Sequence, residues 1–407
     1  MQKVRFMMSL RISWLSNAPW SFTGYGCQTR LFISRIAKQG HKTAVIAFWG
    51  HDGVPINWGD TLVYGRGFHP YGQDIMAAHS SNFNADIMIS LMDAWVVQTN
   101  LLQSYKDRWY PWFPLDHDEL PRPILDAVKV SPKPITMSKF GKSLMDAADV
   151  DSYYVPHGVE TDVFKPIDRE TSRTQMFMPR DVFIVGMVAA NKGVPPRKAF
   201  FQNIRAFAEL HKKHDDTVLY LHTHDGAMGG HEQVNLVEYC RFLGLEVGRD
   251  VIFADQYLYT LGYPDDKMNM LYNAMDVHLL VSMGEGFGIP ILEAQSSGTP
   301  VIVGDWTAMS ELCFSGWKVD KQESEPFFTP LGAHQRLPHY MAIADRLEQA
   351  YQNKGNEAMR AAARLGAMPY DADAVAESYW KSVLDDIASK LPTEKAVTGA
   401  GLREVSK

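Results

Sequence analysis

The sequence predicts an α/β protein made of two doubly wound parallel sheets, and three observations lead to this prediction. Short apolar strands alternate with amphipathic helices along most of the chain. A continuous buried-type strand at residues 182–188 opens a second series of the same kind after a polar stretch. The length of 407 residues is enough for two or three domains. Two such sheets in tandem leave a central cleft at the carboxyl ends of their strands, where sheets of this class bind ligands.

The first series is expected to form an N-terminal domain over residues 1–170. Residues 10–15 alternate as a strand does, a glycine-containing turn follows at residues 21–26, and residues 27–39 have helical apolar spacing. Gly40 ends that helix. Further strands are predicted at residues 43–48, 86–91, 110–115, 134–137 and 152–155, and a further helix at residues 138–148.

The second series is expected to form a C-terminal domain over residues 175–373, and we place the linker in the polar stretch 168–179. Strands are predicted at residues 182–188, 218–222, 251–253, 277–281 and 300–303. Helices are predicted at residues 198–213, 234–243, 266–274, 289–297, 346–351 and 357–365. A last helix at residues 374–391 is expected to pack back on the first domain. The small and polar residues 393–407 are expected to form a disordered tail.

The composition is that of an ordinary globular protein, with 46% hydrophobic and 21% charged residues, which excludes wholesale disorder. Three cysteines lie far apart without a CxxC spacing, which favours a reducing compartment and disfavours a cysteine-based zinc site. No apolar stretch reaches the ~18–20 residues that a membrane span needs. We therefore expect a cytoplasmic protein without a transmembrane segment. The net charge of −7 disfavours a surface uniformly suited to nucleic acid.

The most informative segment runs from Ser282 to Ile302. A buried strand is followed by a loop with three glycines, Gly284, Gly286 and Gly288, and then by a helix that begins near Ile289. The bare N–H groups of a helix N-terminus bind anions, so a phosphate or diphosphate is the expected ligand. Two glutamates, Glu285 in the loop and Glu293 in the helix, can face a sugar and a ribose. A plain strand-loop-helix with solvated glutamates is the alternative.

Glu285 and Glu293 are separated by seven residues, and the sequence Ala-x-x-x-Gly-Thr-Pro-Val-Ile ends the segment. This pattern resembles the Glu-x7-Glu signature of the retaining nucleotide-sugar transferases of glycosyltransferase family 4, and the resemblance covers about residues 10–390. Weaker matches agree with it in order and spacing: Gly24-Tyr-Gly26, residues 155–166, residues 185–191 with 196–198, and residues 307–312. The resemblance implies the GT-B fold, in which two doubly wound Rossmann-like domains face a central cleft.

The resemblance also implies roles for the residues that would bind the donor. Glu285 would contact the donor sugar, and Glu293 the hydroxyls of the ribose. The backbone at Gly286, Phe287, Gly288 and Ile289 would hold sugar hydroxyls and phosphate, and Gly24 and Gly26 would belong to a glycine loop that faces the donor phosphates. Arg197 and Lys198 would balance the charge of the diphosphate, with Asn191 at the strand end where the family commonly has arginine.

On the acceptor side, Asp116 or His117 would match the residue that touches the transferred sugar, and both follow a predicted strand end. A turn-stabilising Asp-His pair is the alternative for these two. Asp93, at another strand end, is a weaker candidate, and His157 stands where the family has asparagine. Residues 258–263 would receive the nucleobase.

A metal site at His222, His224, Asp225 and His231 is disfavoured, because the family has no metal there and glycines surround the last of these. We predict no metal and no cofactor, with a UDP- or GDP-linked sugar as substrate. The predicted function is a retaining, metal-independent glycosyltransferase that moves a monosaccharide to a hydroxyl acceptor. A nucleotide-sugar-binding module or a sugar phosphorylase is the alternative from another class.

The acceptor is left open by the sequence. Residues 1–50 hold seven basic and no acidic residues, together with Trp14, Trp20, Phe22 and Tyr25. Basic groups beside aromatic rings suit a phosphate-bearing acceptor, such as DNA with hydroxylated bases, or an anionic lipid surface. The simpler explanation is that most of these basic residues are solvated on helix faces.

Overall fold

The computed structural model describes residues 9–102, 105–227 and 233–391. The chain forms two parallel sheets covered by helices, each with its own series of βα units. This confirms the α/β architecture predicted from the alternation of strands and helices. The predicted tail at residues 393–407 and the residue His231 lie outside the described residues.

The N-terminal sheet has eight strands in the order β3-β4-β2-β1-β5-β6-β7-β8, and its pairs are parallel except β3 with β4. The strands are β1 (Arg11–Asn17), β2 (Lys42–Trp49), β3 (Ile56–Trp58), β4 (Thr61–Tyr64), β5 (Ile87–Leu91), β6 (Trp109–Phe113), β7 (Ile135–Thr136) and β8 (Tyr153–Tyr154). The helices are α1 (Gly24–Lys38), α2 (Met76–Asn82), α3 (Arg122–Val128) and α4 (Lys139–Ala147), with 3₁₀ turns at Ala94–Val96, Thr99–Leu102 and Lys106–Arg108. β3 and β4 were not predicted from the sequence.

The C-terminal sheet has six parallel strands in the order β11-β10-β9-β12-β13-β14. They are β9 (Phe183–Val188), β10 (Thr217–His222), β11 (Val251–Phe253), β12 (Val277–Leu280), β13 (Val301–Gly304) and β14 (Gly316–Val319). The helices are α5 (Arg169–Gln175), α6 (Phe200–His211), α7 (Leu236–Phe242), α8 (Gln256–Leu261), α9 (Asp265–Ala274), α10 (Ile289–Ser296), α11 (Tyr340–Gln352) and α12 (Glu357–Ala367). Helix α5 lies inside the stretch predicted as the linker; Asp168 caps it, accepting a hydrogen bond from Thr171 N at 2.7 Å.

The chain ends in α13 (Ala372–Val375), a π-helical turn at Ala376–Trp380 and α14 (Lys381–Lys390). These elements lie against the N-terminal sheet. The buried ring of Trp380 is 5.4 Å from that of Trp14 and 5.0 Å from that of Trp112, between ring centroids. Large aromatic rings bury much apolar area, so this contact attaches the last helix to the first domain.

A two-stranded antiparallel hairpin, β15 (Ser324–Phe328) and β16 (His334–Pro338), leaves the C-terminal domain between β14 and α11. It was not predicted from the sequence. Its second strand is anchored to its own domain, because Arg336 N donates to Met283 O at 2.8 Å. Its tip reaches the N-terminal domain, where Asp118 N donates to His334 O at 2.7 Å. The hairpin therefore bridges the two domains beside the segment that follows β6.

Candidate active site

The loop that carries Glu285 lies directly against the N-terminal domain. A Cβ added to Gly284 would stand 2.0 Å from Asp116 O, and one added to Gly286 would stand 2.1 Å from Pro114 Cβ. Only glycine permits such an approach of two backbones. The carboxyl end of β12 thereby meets the carboxyl end of β6, and Glu285 lies where the two sheets face each other.

Glu285 is buried and paired with two cations. Its Oε1 is 2.5 Å from Lys198 Nζ, and its Oε2 is 3.4 Å from Arg197 Nη1. The same guanidinium lies 3.5 Å from Asp116 Oδ2 in the other domain. Burial acts to raise the pKa of Glu285, but the charges of Lys198 and Arg197 outweigh it and hold that pKa below its usual value. The site thus presents an ionised carboxylate and two cations in a desolvated setting.

The predicted pair Asp116 and His117 lies on the opposite side of this cluster. His117 Nδ1 is 2.8 Å from Asp116 Oδ1, and its Nε2 is 2.9 Å from the hydroxyl oxygen of Thr329. The same hydroxyl oxygen lies 2.9 Å from Ala333 O, so Thr329 connects His117 to the turn of the hairpin. Burial acts to raise the pKa of Asp116, but the hydrogen bond with His117 and the charge of Arg197 lower it.

Asp93, the weaker candidate from the sequence, belongs to the same cluster. Tyr25 at the start of α1 donates a hydrogen bond to Asp93 Oδ2 at 3.4 Å. Burial, and then the negative charge of Asp116, raise the pKa of Asp93 to about 6. The ends of β1, β5 and β6 therefore bring Tyr25, Asp93 and Asp116 together, which gives a titratable group near neutral pH beside the pair Asp116–His117.

Glu293 lies apart from Glu285, in the helix α10. Its Oε2 accepts a hydrogen bond from Tyr272 at 2.8 Å. It lines a small cavity between the domains together with Cys27, Arg30 and Asp265. Burial raises the pKa of Glu293 to about 8, although the bond from Tyr272 acts against this. The two glutamates thus have opposite electrostatic settings, one ionised beside cations and one largely protonated at neutral pH.

The loop before α10 contains backbone N–H groups without hydrogen-bond partners among the described residues. Gly288, at φ +111°, precedes the helix in the left-handed region, which suits glycine, and Pro290 occupies the first turn. Among the residues that the structure describes, none accepts a hydrogen bond from the N–H groups of Gly286, Phe287 or Gly288. Ile289 Cδ1 would be 3.3 Å from a Cβ on Gly24, so the start of α1 faces the start of α10. Unpaired donors at a helix N-terminus can hold phosphate oxygens.

Gly24 and Gly26 lie in the first turn of α1 rather than in the loop that was predicted. Thr23 caps this helix by accepting a hydrogen bond from Gly26 N at 3.0 Å. A Cβ on Gly26 would stand 2.3 Å from Ser21 O, so that glycine is required by the packing of the turn before the helix. Gly24 faces the other domain, and Gly26 does not.

The Asn191 side chain bonds to groups outside the cluster around Glu285, and its place beside the donor stays a prediction. Its Nδ2 donates to His224 O at 3.0 Å and to Val234 O at 2.7 Å, and its Oδ1 accepts from Val234 N at 3.2 Å. The side chain is therefore fully used in holding the loop after β10. Val234 is 43 residues away in sequence, so the strand-end position alone did not reveal this function.

Several other predicted positions are structural. His157 is buried between the rings of Trp112 and Phe287, with centroids 4.5 and 5.0 Å away, and burial lowers its pKa to about 3. His222 packs on Tyr259 and Tyr263. The predicted nucleobase loop at residues 258–263 is mostly helical, because α8 extends to Leu261. Within the described ranges, no group of three or more His, Cys, Asp or Glu side chains could hold a metal ion.

Three of the basic residues of the first fifty have partners inside the chain. Arg30 pairs with Asp265 at 2.7 Å, Arg35 pairs with Glu160 at 2.8 Å, and Arg11 donates to Phe83 O at 2.9 Å. Trp14 is fully buried. These three arginines and Trp14 are therefore engaged within the fold, and Lys3 and Arg5 lie outside the described residues.

Sequence analysis missed Tyr25, Tyr272 and Thr329 as members of the site. Tyr25 and Tyr272 hydrogen-bond the candidate carboxylates Asp93 and Glu293, and the position of Tyr25 inside the glycine turn was the available signal. Thr329 is 212 residues from His117 in sequence, and no motif surrounds it. Only the folded hairpin brings it to the histidine.

The comparisons with known proteins concern the fold and part of the sequence. The chain is similar in structure to sucrose-phosphate synthase from Thermosynechococcus elongatus, with a TM-score of 0.72, 15% identity, and coverage of 94% of this chain and 100% of that chain. The chain has the GT-B fold. The Anabaena HepE protein in complex with UDP-glucose gives a TM-score of 0.65 at 17% identity, covering 92% of this chain and 99% of that chain.

In sequence, residues 180–330 match the family described as "Glycosyl transferases group 1". The candidate donor residues from Asn191 to Glu293 all lie within this range. A D-inositol 3-phosphate glycosyltransferase from Acidothermus cellulolyticus is 30% identical over 189 residues, which are 44% of this chain and 39% of that protein. The chain spans 33–50% of the length of the first curated relatives that it matches. In the part of the chain that the structure describes, no helix is long and apolar enough to cross a bilayer.

Proposed function

We propose that this chain is a glycosyltransferase that moves a monosaccharide from a nucleoside diphosphate sugar to a hydroxyl acceptor. One observation carries the proposal: Glu285, Arg197 and Lys198 of the C-terminal domain lie against Asp116 and His117 of the N-terminal domain. Ligands of doubly wound sheets bind at such carboxyl ends. The C-terminal domain, at about residues 175–373, would hold the donor, and residues 1–170 the acceptor.

We assign the site for the sugar donor from two positive charges and from backbone N–H groups that lack hydrogen-bond partners among the described residues. Arg197 and Lys198 would take the diphosphate, the first with a fork of donors and the second as a point charge. The N–H groups of residues 286–288 would add hydrogen bonds to phosphate or to sugar hydroxyls. Glu293 would accept hydrogen bonds from the ribose hydroxyls. A UDP- or GDP-linked sugar fits this set, and the HepE protein was solved with UDP-glucose.

We propose that transfer retains the configuration at the anomeric carbon. The acceptor oxygen attacks that carbon on the face from which the diphosphate leaves. The bond between the anomeric carbon and the phosphate oxygen breaks, the bond to the acceptor oxygen forms, and the acceptor proton passes to the departing phosphate. Arg197 and Lys198 stabilise the charge that develops on the leaving group, which is electrostatic preorganisation. These two cations supply the positive charge, so we propose that the reaction needs neither metal nor cofactor.

Two alternatives are less well supported. Transfer to hydroxylated DNA bases would need an exposed basic surface, whereas Arg11, Arg30 and Arg35 are engaged within the chain. A nucleotide-sugar-binding module or a sugar phosphorylase would use the same fold. A cytoplasmic location is part of our proposal, since Cys27, Cys240 and Cys313 are all free thiols.

The test is a panel of nucleotide sugars, with release of nucleoside diphosphate measured for each. We expect one donor to be hydrolysed slowly without acceptor and to raise the melting temperature. Glu293→Ala should weaken donor binding, whereas Glu285→Ala should mostly lower turnover. Release at the wild-type rate by both variants would contradict the site assignment. Stabilisation by sugar phosphates alone would favour a phosphorylase, and stabilisation by nucleotide sugars without any turnover would favour a binding module.

A further inference from the structure

Large aromatic side chains are exposed along the carboxyl edge of the N-terminal sheet. Strands β4, β2, β1 and β5 are parallel neighbours in that sheet. The end of each strand, or the segment after it, carries an exposed ring: Phe68 and Tyr71 follow β4, Trp49 ends β2, Phe22 follows β1 and Trp95 follows β5. We call these five residues the aromatic edge. Trp49 is 58% exposed and Phe68 is fully exposed, which is unusual for rings of this size.

The segments that carry the aromatic edge touch one another. Trp20 Nε1, after β1, donates a hydrogen bond to Gly50 O, after β2, at 2.7 Å. The ring of Trp20 also lies 5.6 Å from that of His51, and the ring of Phe48 lies 6.1 Å from that of Tyr71. The segment after β1 therefore contacts the segment after β2, and β2 contacts the segment after β4.

The segment after β5 connects the aromatic edge with the candidate active site. Trp95 comes two residues after Asp93, which contacts Tyr25, and β5 pairs with β6, whose end leads to Asp116 and His117. From β5 to β4 there are three strand spacings, or about 14 Å. That distance is longer than a single sugar ring, so the edge can hold several linked units on one side of the reacting groups.

The charged residues of the same segments indicate which kind of ligand the aromatic edge can bind. Arg66 is the one basic residue in residues 18–23, 50–55, 65–75, 92–100 and 114–121, and it pairs with Asp52. Six acidic residues stand in those segments: Asp52, Asp74, Asp93, Asp116, Asp118 and Glu119. Asp52, Asp116 and Asp118 are paired with Arg66, Arg197 and Arg336, so these segments offer no unpaired arginine or lysine of their own to phosphate-rich polymers or anionic lipid surfaces, which bind basic segments.

We propose that the aromatic edge binds an uncharged oligosaccharide and presents its terminal hydroxyl group to the donor sugar. This inference rests on the proposed function and adds the class of acceptor. A sugar ring displays C–H groups on its faces and hydroxyl groups around its rim, so its face packs on an aromatic ring while its rim hydrogen-bonds to polar groups. Exposed apolar rings next to convergent polar groups are the pattern of such a site.

The test uses the full chain and short neutral malto-, cello- and manno-oligosaccharides, with saturation-transfer NMR as the readout. We expect transfer to the ring C–H protons of at least one series, and an affinity about tenfold lower in Trp49→Ala and Trp95→Ala. Phe242→Ala is the matched control, because Phe242 is 82% exposed on α7 in the other domain. It should bind as the wild type does.

Three outcomes would overturn the inference. They are no signal with any of these oligosaccharides, equal affinities in all three variants, and sedimentation with phosphatidylcholine or phosphatidylserine vesicles that is lost in Trp49→Ala. The last would assign the rings to a membrane surface. Melting temperatures with the nucleotide-sugar panel, taken on the same samples, separate this inference from the proposed function. Stabilisation by a donor without oligosaccharide binding defeats only the inference, whereas no stabilisation by any donor defeats the function.

Discussion

Lys198 Nζ lies 2.5 Å from Glu285 Oε1, and this contact joins the loop after β12 to the segment before α6. Both side chains are largely buried, so neither charge has water to compensate it. Arg197 Nη1 adds a second cation at 3.4 Å from Glu285 and 3.5 Å from Asp116. The cations therefore hold together two carboxylates that belong to different domains.

Lys198→Met should lower the free energy of unfolding by roughly 3 kcal/mol, because it leaves a buried carboxylate without its nearest cation. The double variant Lys198→Met/Glu285→Gln should regain part of that loss. Urea unfolding of the single and double variants measures both effects. Lys212→Met is the control, since its pair with Glu209 is exposed and should change stability by less than about 1 kcal/mol. Equal losses in Lys198→Met and Lys212→Met would contradict the interpretation.

Thr329→Val should lower kcat about tenfold and leave the KM for the donor nearly unchanged. The valine cannot hydrogen-bond to His117 Nε2, and the loss of this bond frees the imidazole to turn. Thr329→Ser keeps the hydroxyl and should restore most of the rate. Steady-state kinetics of the wild type and both variants with the best nucleotide-sugar donor measure these effects. If serine impaired the enzyme as much as valine, Thr329 would have a role in packing alone.

Gly286→Ala should lower turnover by roughly 100-fold while nucleotide binding persists. The added Cβ would stand 2.1 Å from Pro114 Cβ, so the loop and the segment after β6 must move apart. A displacement of reacting groups by about 1 Å lowers the rate by roughly 100-fold. Gly24→Ala is a milder change of the same kind, because its Cβ would meet only the flexible end of the Ile289 side chain, at 3.3 Å. Rates and nucleotide affinities should be measured for both variants. A larger loss of turnover in Gly24→Ala than in Gly286→Ala would refute this explanation.

The pH dependence of stability should carry a contribution from Glu293. Its pKa is raised to about 8 in the folded chain, so the folded state binds the proton more tightly than the unfolded state does. This stabilisation is complete below the ordinary pKa of a glutamate and is lost as pH rises through about 8. The melting temperature of the wild type should therefore fall more steeply between about pH 5 and about pH 8 than that of Glu293→Gln. The exposed Glu325→Gln serves as the control, and identical slopes in Glu293→Gln and the wild type would oppose the prediction.

The sequence predicted the two sheets well because parallel strands are buried on both faces and appear as continuous apolar runs, as at β9 and β12. It failed where an element has no such run. β3 and β4 are short and lie at the edge of the sheet, and α5 is polar and depends on its Asp168 cap. The hairpin β15–β16 contains prolines at residues 326 and 338, which are not typical of strands.

The candidate site, too, was predicted only in part from the sequence. The motif located Glu285, Arg197, Lys198 and Glu293, and the structure brings the first three together. The partners of these residues come from distant segments, such as Thr329 for His117, and a single sequence does not reveal such pairs. The hydrogen bonds of Asn191 to His224 O and Val234 O could not be predicted from its strand-end position either, and its contact with a donor stays a prediction.

The hairpin has a consequence for how far the two domains can separate. Arg336 pairs with Asp118 at 2.5 Å, and Asp118 N donates to His334 O at 2.7 Å, so opening the cleft must break both contacts. The Asp118 side chain is only 5% exposed, and buried pairs are screened by dissolved ions much less than exposed ones. Added salt therefore leaves this link between the halves largely in place.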